Sequence, residues 1–201
     1  MKNSFKLLFV LIIYLFSFQS YSQVIAGIKG GVNFPYLEVE DHSVQSIMGY
    51  HIGIQFEFML SNVFSVESGM YWSTKGGEVE SSNYDGYGGY YTNYDELKLN
   101  YIDWPITIKV GLPIGDNFKI YAAAGGFLNW GISGKINGED VWKGDMGYLE
   151  KYDYGATFGA GIEIHAIQLS ASYDLGLADI GHSEYSINQS VLKASVAYLF
   201  W

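Results

Sequence analysis

Tyr101-Ile102-Asp103-Trp104-Pro105-Ile106-Thr107-Ile108-Lys109-Val110-Gly111-Leu112 places Ile102, Trp104, Ile106, Ile108 and Val110 on alternate positions, with Asp103, Thr107 and Lys109 between them. A period of two belongs to a strand with one apolar and one polar face. The same pattern recurs in both directions along the chain. Before it come Val24 to Phe34, Met48 to Leu60 and Phe64 to Ser73; after it come Phe118 to Ile132, Tyr154 to Ile164, Ala166 to Ala178 and Leu192 to Phe200. Segments of about 9–11 residues suffice to cross a bilayer as tilted strands. The eight segments predict an all-β chain.

The connections alternate in length. Long ones cover roughly 35–47, 74–100, 133–153 and 179–191, and short ones are Ser61-Asn62-Val63, Pro113 to Asn117 and the corner at His165. An eight-stranded antiparallel up-and-down barrel with both termini on one side has three turns there and four loops opposite.

Phasing each strand by its apolar residues puts Lys29, Glu57, Glu67, Asp103, Lys109, Lys119, Glu163, Asp174 and Lys193 on the other face. Most strand glycines, among them Gly27, Gly53, Gly69, Gly125, Gly159 and Gly161, fall on that face too, while Gly30 and Gly126 fall on the apolar one. Small residues are needed where a narrow interior must hold Lys, Glu and Tyr side chains. The polar face is therefore the inside. An apolar outer band is insoluble in water and stable in lipid, so the expected barrel is transmembrane. Aromatic rings favour bilayer interfaces. Tyr50, Trp72, Trp104, Trp130 and Tyr154 are expected at the loop edge, with Phe58, Phe64, Phe118, Tyr198 and Phe200 at the turn edge.

Composition agrees with export to an envelope. The chain has 201 residues, a formal charge of −10 and no cysteine, which excludes disulfides and Cys-based metal sites and argues against nucleic acid as a partner. Lys2 and Lys6 precede an apolar run from Leu7 to Phe18, and Ser20-Tyr21-Ser22 supplies small residues where signal peptidase reads. Residues 1–22 are expected to be a cleaved signal peptide and 23–201 the barrel domain. The apolar run falls short of the roughly 20 residues of a membrane helix.

The sequence resembles the small outer-membrane β-barrel domain of Gram-negative bacteria, the PorT-like "outer membrane protein beta-barrel" family. The matching residues are the Gln23 start, Gly27-Ile28-Lys29-Gly30-Gly31-Val32-Asn33, Tyr101 to Lys109, Gly155-Ala156-Thr157-Phe158-Gly159-Ala160-Gly161-Ile162-Glu163, Tyr173 to Ile180 and the aromatic C-terminus. The resemblance implies a Gram-negative outer membrane, periplasmic termini and, for some members, a link to protein secretion. It also implies recognition of the C-terminal aromatic by the barrel-assembly machinery. Here the alternating series Leu192, Ala194, Val196, Tyr198, Phe200 ends one residue before Trp201.

Eight strands enclose a bore filled by side chains, which disfavours an open porin. Its acids and lysines nearly balance, as buried charges must. Across a three-residue turn Glu57 and Glu67 stand opposite each other, and Lys109 and Lys29 are candidates to sit beside them. An ion-pair network filling the core is the expected role; a gated proton or small-ion path is the alternative. No enzyme is expected, and no cofactor. His182-Ser183-Glu184 cannot all converge from adjacent loop positions, and the stretch lacks the final glycine of a nucleophile elbow. His51 is placed inside, where a carboxylate neighbour would make it a base.

The loops carry an excess of acids, suited to divalent cations shared with lipopolysaccharide, to a cationic partner, or simply to solvation. Tyr84, Asp85, Tyr87, Tyr90, Tyr91 and Tyr94, in a Tyr/Gly/Asn-rich stretch, form a candidate surface binding loop. Asn83-Tyr84-Asp85-Gly86 opens like a calcium loop but lacks the distal bidentate Glu. The expected function is a binding, adhesion or structural role in the envelope. Outer-membrane lipid, lipopolysaccharide and an unknown surface or secretion protein are the expected partners.

Overall fold

A computed structural model describes residues 24–39, 44–84, 90–136, 139–140, 150–178 and 187–200. Eight long strands account for most of them: β1 Val24–Val39, β2 Gly49–Met59, β3 Phe64–Tyr84, β4 Tyr90–Pro113, β5 Phe118–Ile136, β6 Tyr152–Ile164, β7 Ile167–Gly176 and β8 Ile187–Phe200. Each pairs antiparallel with its neighbours in the chain. The ring closes where β1 meets β8, from Ala26↔Phe200 to Val39↔Ile187. Among the described residues there is no helix.

The barrel is inside-out relative to a water-soluble protein. Ile52 and Ile108 are 53% and 60% exposed on the outer face, while Glu57 and Lys109 are 1% and 0% exposed within. In water each large apolar side chain left uncovered forgoes roughly 1.5–3 kcal/mol, so a complete outer girdle of them requires lipid. Lipid also explains why the ring must close: a free edge in hydrocarbon would strand a row of backbone donors and acceptors.

The short connections are compact. Ser61 Oγ accepts from the backbone N–H groups of Val63 and Phe64 at 3.2 and 2.9 Å, which pins the β2–β3 turn. The β6–β7 turn is a two-residue corner at His165-Ala166, where His165 adopts φ 52°. Left-handed backbone there matches the twist of a tight hairpin, and the His165 N–H donates to Asn117 O of the adjacent turn at 3.0 Å.

The loop side differs from expectation. Residues 74–84 and 90–100 are strand rather than the expected loop: β3 and β4 continue as a ladder from Thr74↔Asn100 to Tyr84↔Tyr90. Val44–Ile47 adds to the flank of β3 opposite Gly76–Val79, and Glu139–Asp140 folds back on Lys135 and Ile136. β1 and β8 also run on past Phe34 and start before Leu192. Above the bilayer the outer face of a strand no longer meets lipid, so pairing persists without apolar alternation. A reading based on apolar period therefore stops the strands at the membrane edge.

The inside is also less uniformly polar than the phasing implies. Ile25, Ala197 and Leu199 form an apolar plug at the turn end, with Met59 packed against it. Toward the loops, Leu97, Leu99, Tyr101 and Val191 are buried. Two inward glycines show why the bore needs them. A Cβ on Gly69 or Gly161 would strike the ring of Tyr71 or Tyr121 and a backbone carbonyl of the facing strand.

Because no strand edge is open, the barrel is expected to resist detergent unfolding until boiled. Detergent-extracted outer membranes run on a denaturing gel with and without boiling should show two mobilities for the protein. A single mobility in both lanes would contradict the closed ring.

Candidate functional site

The inward side chains form two charged layers separated by a small polar chamber. Strand register creates the first. The β2–β3 turn sets Glu57 directly opposite Glu67, two like charges that need cations between them. Lys109 on β4 supplies one. Its Nζ reaches Glu57 Oε2 at 2.7 Å and Glu67 Oε2 at 3.4 Å, also binds Glu163 of β6, and lies 4.1 Å from the ring centroid of Tyr121. Lys29 pairs with Glu67 at 2.9 Å, and Lys119 lies 3.5 and 3.3 Å from Glu57 and Glu163. Neutral groups complete the layer. Ser65 donates to Glu57 at 2.5 Å, Gln168 to Glu67 at 3.2 Å, and Gln55 to Gln168 at 3.1 Å. Three carboxylates thus meet three ammonium groups.

The second layer lies nearer the loops. Lys193 of β8 pairs with Asp103 Oδ2 at 2.8 Å and Asp174 Oδ2 at 2.7 Å, and Thr157 donates to Asp174 at 2.6 Å. Two members, Lys75 and Asp153, belong by sequence to the supposed loops. Lys75 stands 3.9 Å from Asp103, 3.7 Å from Asp153 and 4.7 Å from the Tyr101 ring. Asn129 donates to Asp153 at 2.9 Å. Three carboxylates here face two lysines. Alternation continued past Ser73 would have placed Lys75 inside; the assumed end of the strand hid it.

Between the layers is a chamber of about 70 Å³, lined by Lys29, Glu67, Tyr71, Tyr121, Ser172 and Lys193 among others. It exists because β5, β6 and β7 present Ala123, Gly159, Ser170 and Ser172 where the opposite wall presents Tyr71 and lysine stems. At roughly 30 Å³ per water it holds about two. His51 and Ser195 also line it. His51 Nδ1 meets Asn33 Oδ1 at 2.7 Å and Nε2 meets Ser195 Oγ at 3.0 Å, while Asn33 Nδ2 donates to Ser73 Oγ and Thr74 O, both at 3.0 Å. His51 is thus a hydrogen-bonded interior residue, its neighbour an asparagine and not a carboxylate. The order Ser-His-Asn resembles a hydrolytic relay. The chamber beside this row has the volume of about two waters.

At the turn end a wider vestibule of about 660 Å³ opens between Met59, Pro113, Phe118 and Ala166, with Lys119 and Glu163 along its wall.

Of the residues singled out from sequence, all nine charges of the proposed network lie in the bore: Lys29, Glu57, Glu67, Asp103, Lys109, Lys119, Glu163, Asp174 and Lys193. Tyr50, Trp72, Trp104, Trp130, Tyr154, Tyr198 and Phe200 stand on the outer face. Trp72 and Trp130 share a cross-strand row through Ile102, and Tyr152, stacked on Trp130 at 6.1 Å, extends it. Trp104 Nε1 donates to the outward Ser68 Oγ at 3.1 Å, which satisfies both groups at the apolar wall. In the candidate binding loop, Tyr84, Tyr90, Tyr91 and Tyr94 occupy ladder positions of β3 and β4. Asp85, Tyr87, His182, Ser183, Glu184 and Trp201 lie outside the described residues.

A closed ring with an apolar girdle and a charged bore defines an integral outer-membrane β-barrel. The chain belongs to the outer membrane protein beta-barrel domain family, whose model matches residues 17–181, and this places it in the outer membrane of a Gram-negative bacterium. Among solved structures it is similar to Neisserial surface protein A, at 13% identity over 87% of this chain and 97% of that one, with a TM-score of 0.51. It is also similar to the attachment invasion locus protein of Yersinia pestis in complex with the heparin analogue sucrose octasulfate, at 11% identity over 89% and 99%, with a TM-score of 0.49. At these identities the likeness is one of fold. No curated protein matches the chain.

Removing the Lys109 ammonium should destabilise the barrel, since three carboxylates then share two lysines. The Lys109→Met variant is expected to lose about 3 kcal/mol. Adding Glu57→Gln should recover most of it by restoring the balance. Urea unfolding of the refolded barrels, followed by tryptophan fluorescence, measures both; a double variant no more stable than the single one would contradict the charge accounting.

Proposed function

We propose that the protein is a PorT-like surface barrel whose work is binding in the envelope rather than catalysis, done by the ribbon that β3 and β4 raise above the membrane. The observation that carries this is the ladder from Thr74↔Asn100 to Tyr84↔Tyr90. At about 3.4 Å per residue it extends roughly 34 Å beyond the aromatic belt. Segment 74–100 contains Glu78, Glu80, Asp85, Asp95 and Glu96 against Lys75 and Lys98, together with the tyrosine cluster. Acidic groups at this level suit divalent cations shared with lipopolysaccharide or a cationic partner, and tyrosines suit adaptable contact. Short turns at the end bearing the termini support a periplasmic placement of both ends. The signal peptide of residues 1–22 and reading of the Tyr198/Phe200 terminus by the assembly machinery complete the proposal. An accessory role in a secretion complex is the alternative, and co-purification of secretion partners would favour it.

Replacing residues 77–97 by a short turn tests the ribbon. The trimmed chain is expected to remain heat-modifiable. Binding of purified lipopolysaccharide in calcium, and adhesion of expressing cells to a surface, should fall to the level of cells lacking the protein. Undiminished binding and adhesion in a folded, trimmed barrel would assign the role to the barrel itself.

A further inference from the structure

We infer that the bore is a closed path for small cations in which a single ammonium group, that of Lys109, separates the turn-side vestibule from the central chamber. Glu163 borders the vestibule and Glu67 borders the chamber, and Lys109 Nζ binds both. The wall between the two spaces is therefore a single layer of side chains with the Lys109 ammonium at its centre. Residues 0% to 1% exposed, Lys109, Glu57, Gln55 and Gln168, make up its dry part.

The same layer is built so that Lys109 can leave. Without it, Glu67 keeps Lys29 at 2.9 Å, and Glu57 and Glu163 keep Lys119 at 3.5 and 3.3 Å. Each carboxylate keeps one ammonium contact, although the layer is left with one unbalanced negative charge. With the ammonium displaced, three carboxylates outnumber two lysines at the narrowest point, which favours cations over anions.

Beyond the chamber buried Leu99, Tyr101 and Val191 narrow the bore again. Lys193 bridges Asp103 and Asp174, while Lys75 stands 3.9 and 3.7 Å from its carboxylates, beyond direct hydrogen-bond distance. Asp153 Oδ1 and Asn129 Oδ1 are buried acceptors with no hydrogen-bond partner among the described residues. Water or a passing cation would satisfy them. The loop-side layer also holds three carboxylates against two lysines, so the sign of the path is constant along the bore.

The chain as it exists, refolded into planar bilayers with potassium chloride, tests this independently of the ribbon. The unaltered barrel should be closed most of the time, with brief openings at high voltage. Lys109→Met should raise the open fraction at least tenfold, with a reversal potential in a salt gradient that reports potassium over chloride. The charge-balanced Lys109→Met/Glu57→Gln variant, which guards against a folding defect, should conduct with weaker selectivity. Filling the chamber by Ser172→Leu in either background should return conductance to the parent level. Heat-modifiable Lys109 variants that conduct no more than the parent would overturn the inference, as would a conductance untouched by Ser172→Leu or a parent barrel that never opens.

Discussion

The pairing of β1 with β8 is the contact on which the rest of the molecule depends. In hydrocarbon a backbone amide has no water to turn to, so an eight-stranded sheet is tolerable only when its first and last strands meet. Their ladder runs the full length of both strands, from Ala26↔Phe200 to Val39↔Ile187. Closure fixes the diameter, and the diameter decides what the interior can contain. Ile28, Val196 and Phe200 face lipid beside this seam, while Lys29, Asn33 and Lys193 face inward from the same strands.

A bore this narrow turns electrostatics into a packing problem. Charged side chains cross from one wall to the other, so each lysine meets acids from strands distant in sequence: Lys109 of β4 touches β2, β3 and β6. Burying such charges is costly, and replacement by apolar residues often stabilises a protein. Their retention in two layers, with small residues leaving a hydrated chamber between, is unexpected for a mere filler. Ile25, Ala197 and Leu199 demonstrate that this interior accepts apolar residues where they serve only to plug.

How much was legible from sequence follows from what each rule senses. The two-residue period senses the contrast between lipid and bore, so it located all eight strands and put Lys109 and Glu57 inside. It also set Glu57 opposite Glu67, because a short turn fixes register. Contacts between strands far apart in sequence, such as Lys193 with Asp103, depend on the tilt and stagger of the closed ring, which the period does not encode. The period likewise vanishes above the membrane, and there it lost the β3–β4 ladder and with it Lys75. Asp153, one residue before the expected start of β6, was lost for the same reason. His51 shows a different limit: its inward position was readable, but Asn33 of β1 is joined to β2 by a long connection that leaves their register open, and Ser195 of β8 comes near only through closure of the ring on β1.

The β3–β4 ribbon also has a mechanical meaning. A load on its tip, directed away from the cell, pulls both strands along their own axes into the barrel wall. The backbone bonds that resist are those joining β3 to β2 and β4 to β5, and they are strained together in shear rather than parted one at a time. A ribbon anchored this way resists such a load without any disulfide, in a chain that contains no cysteine.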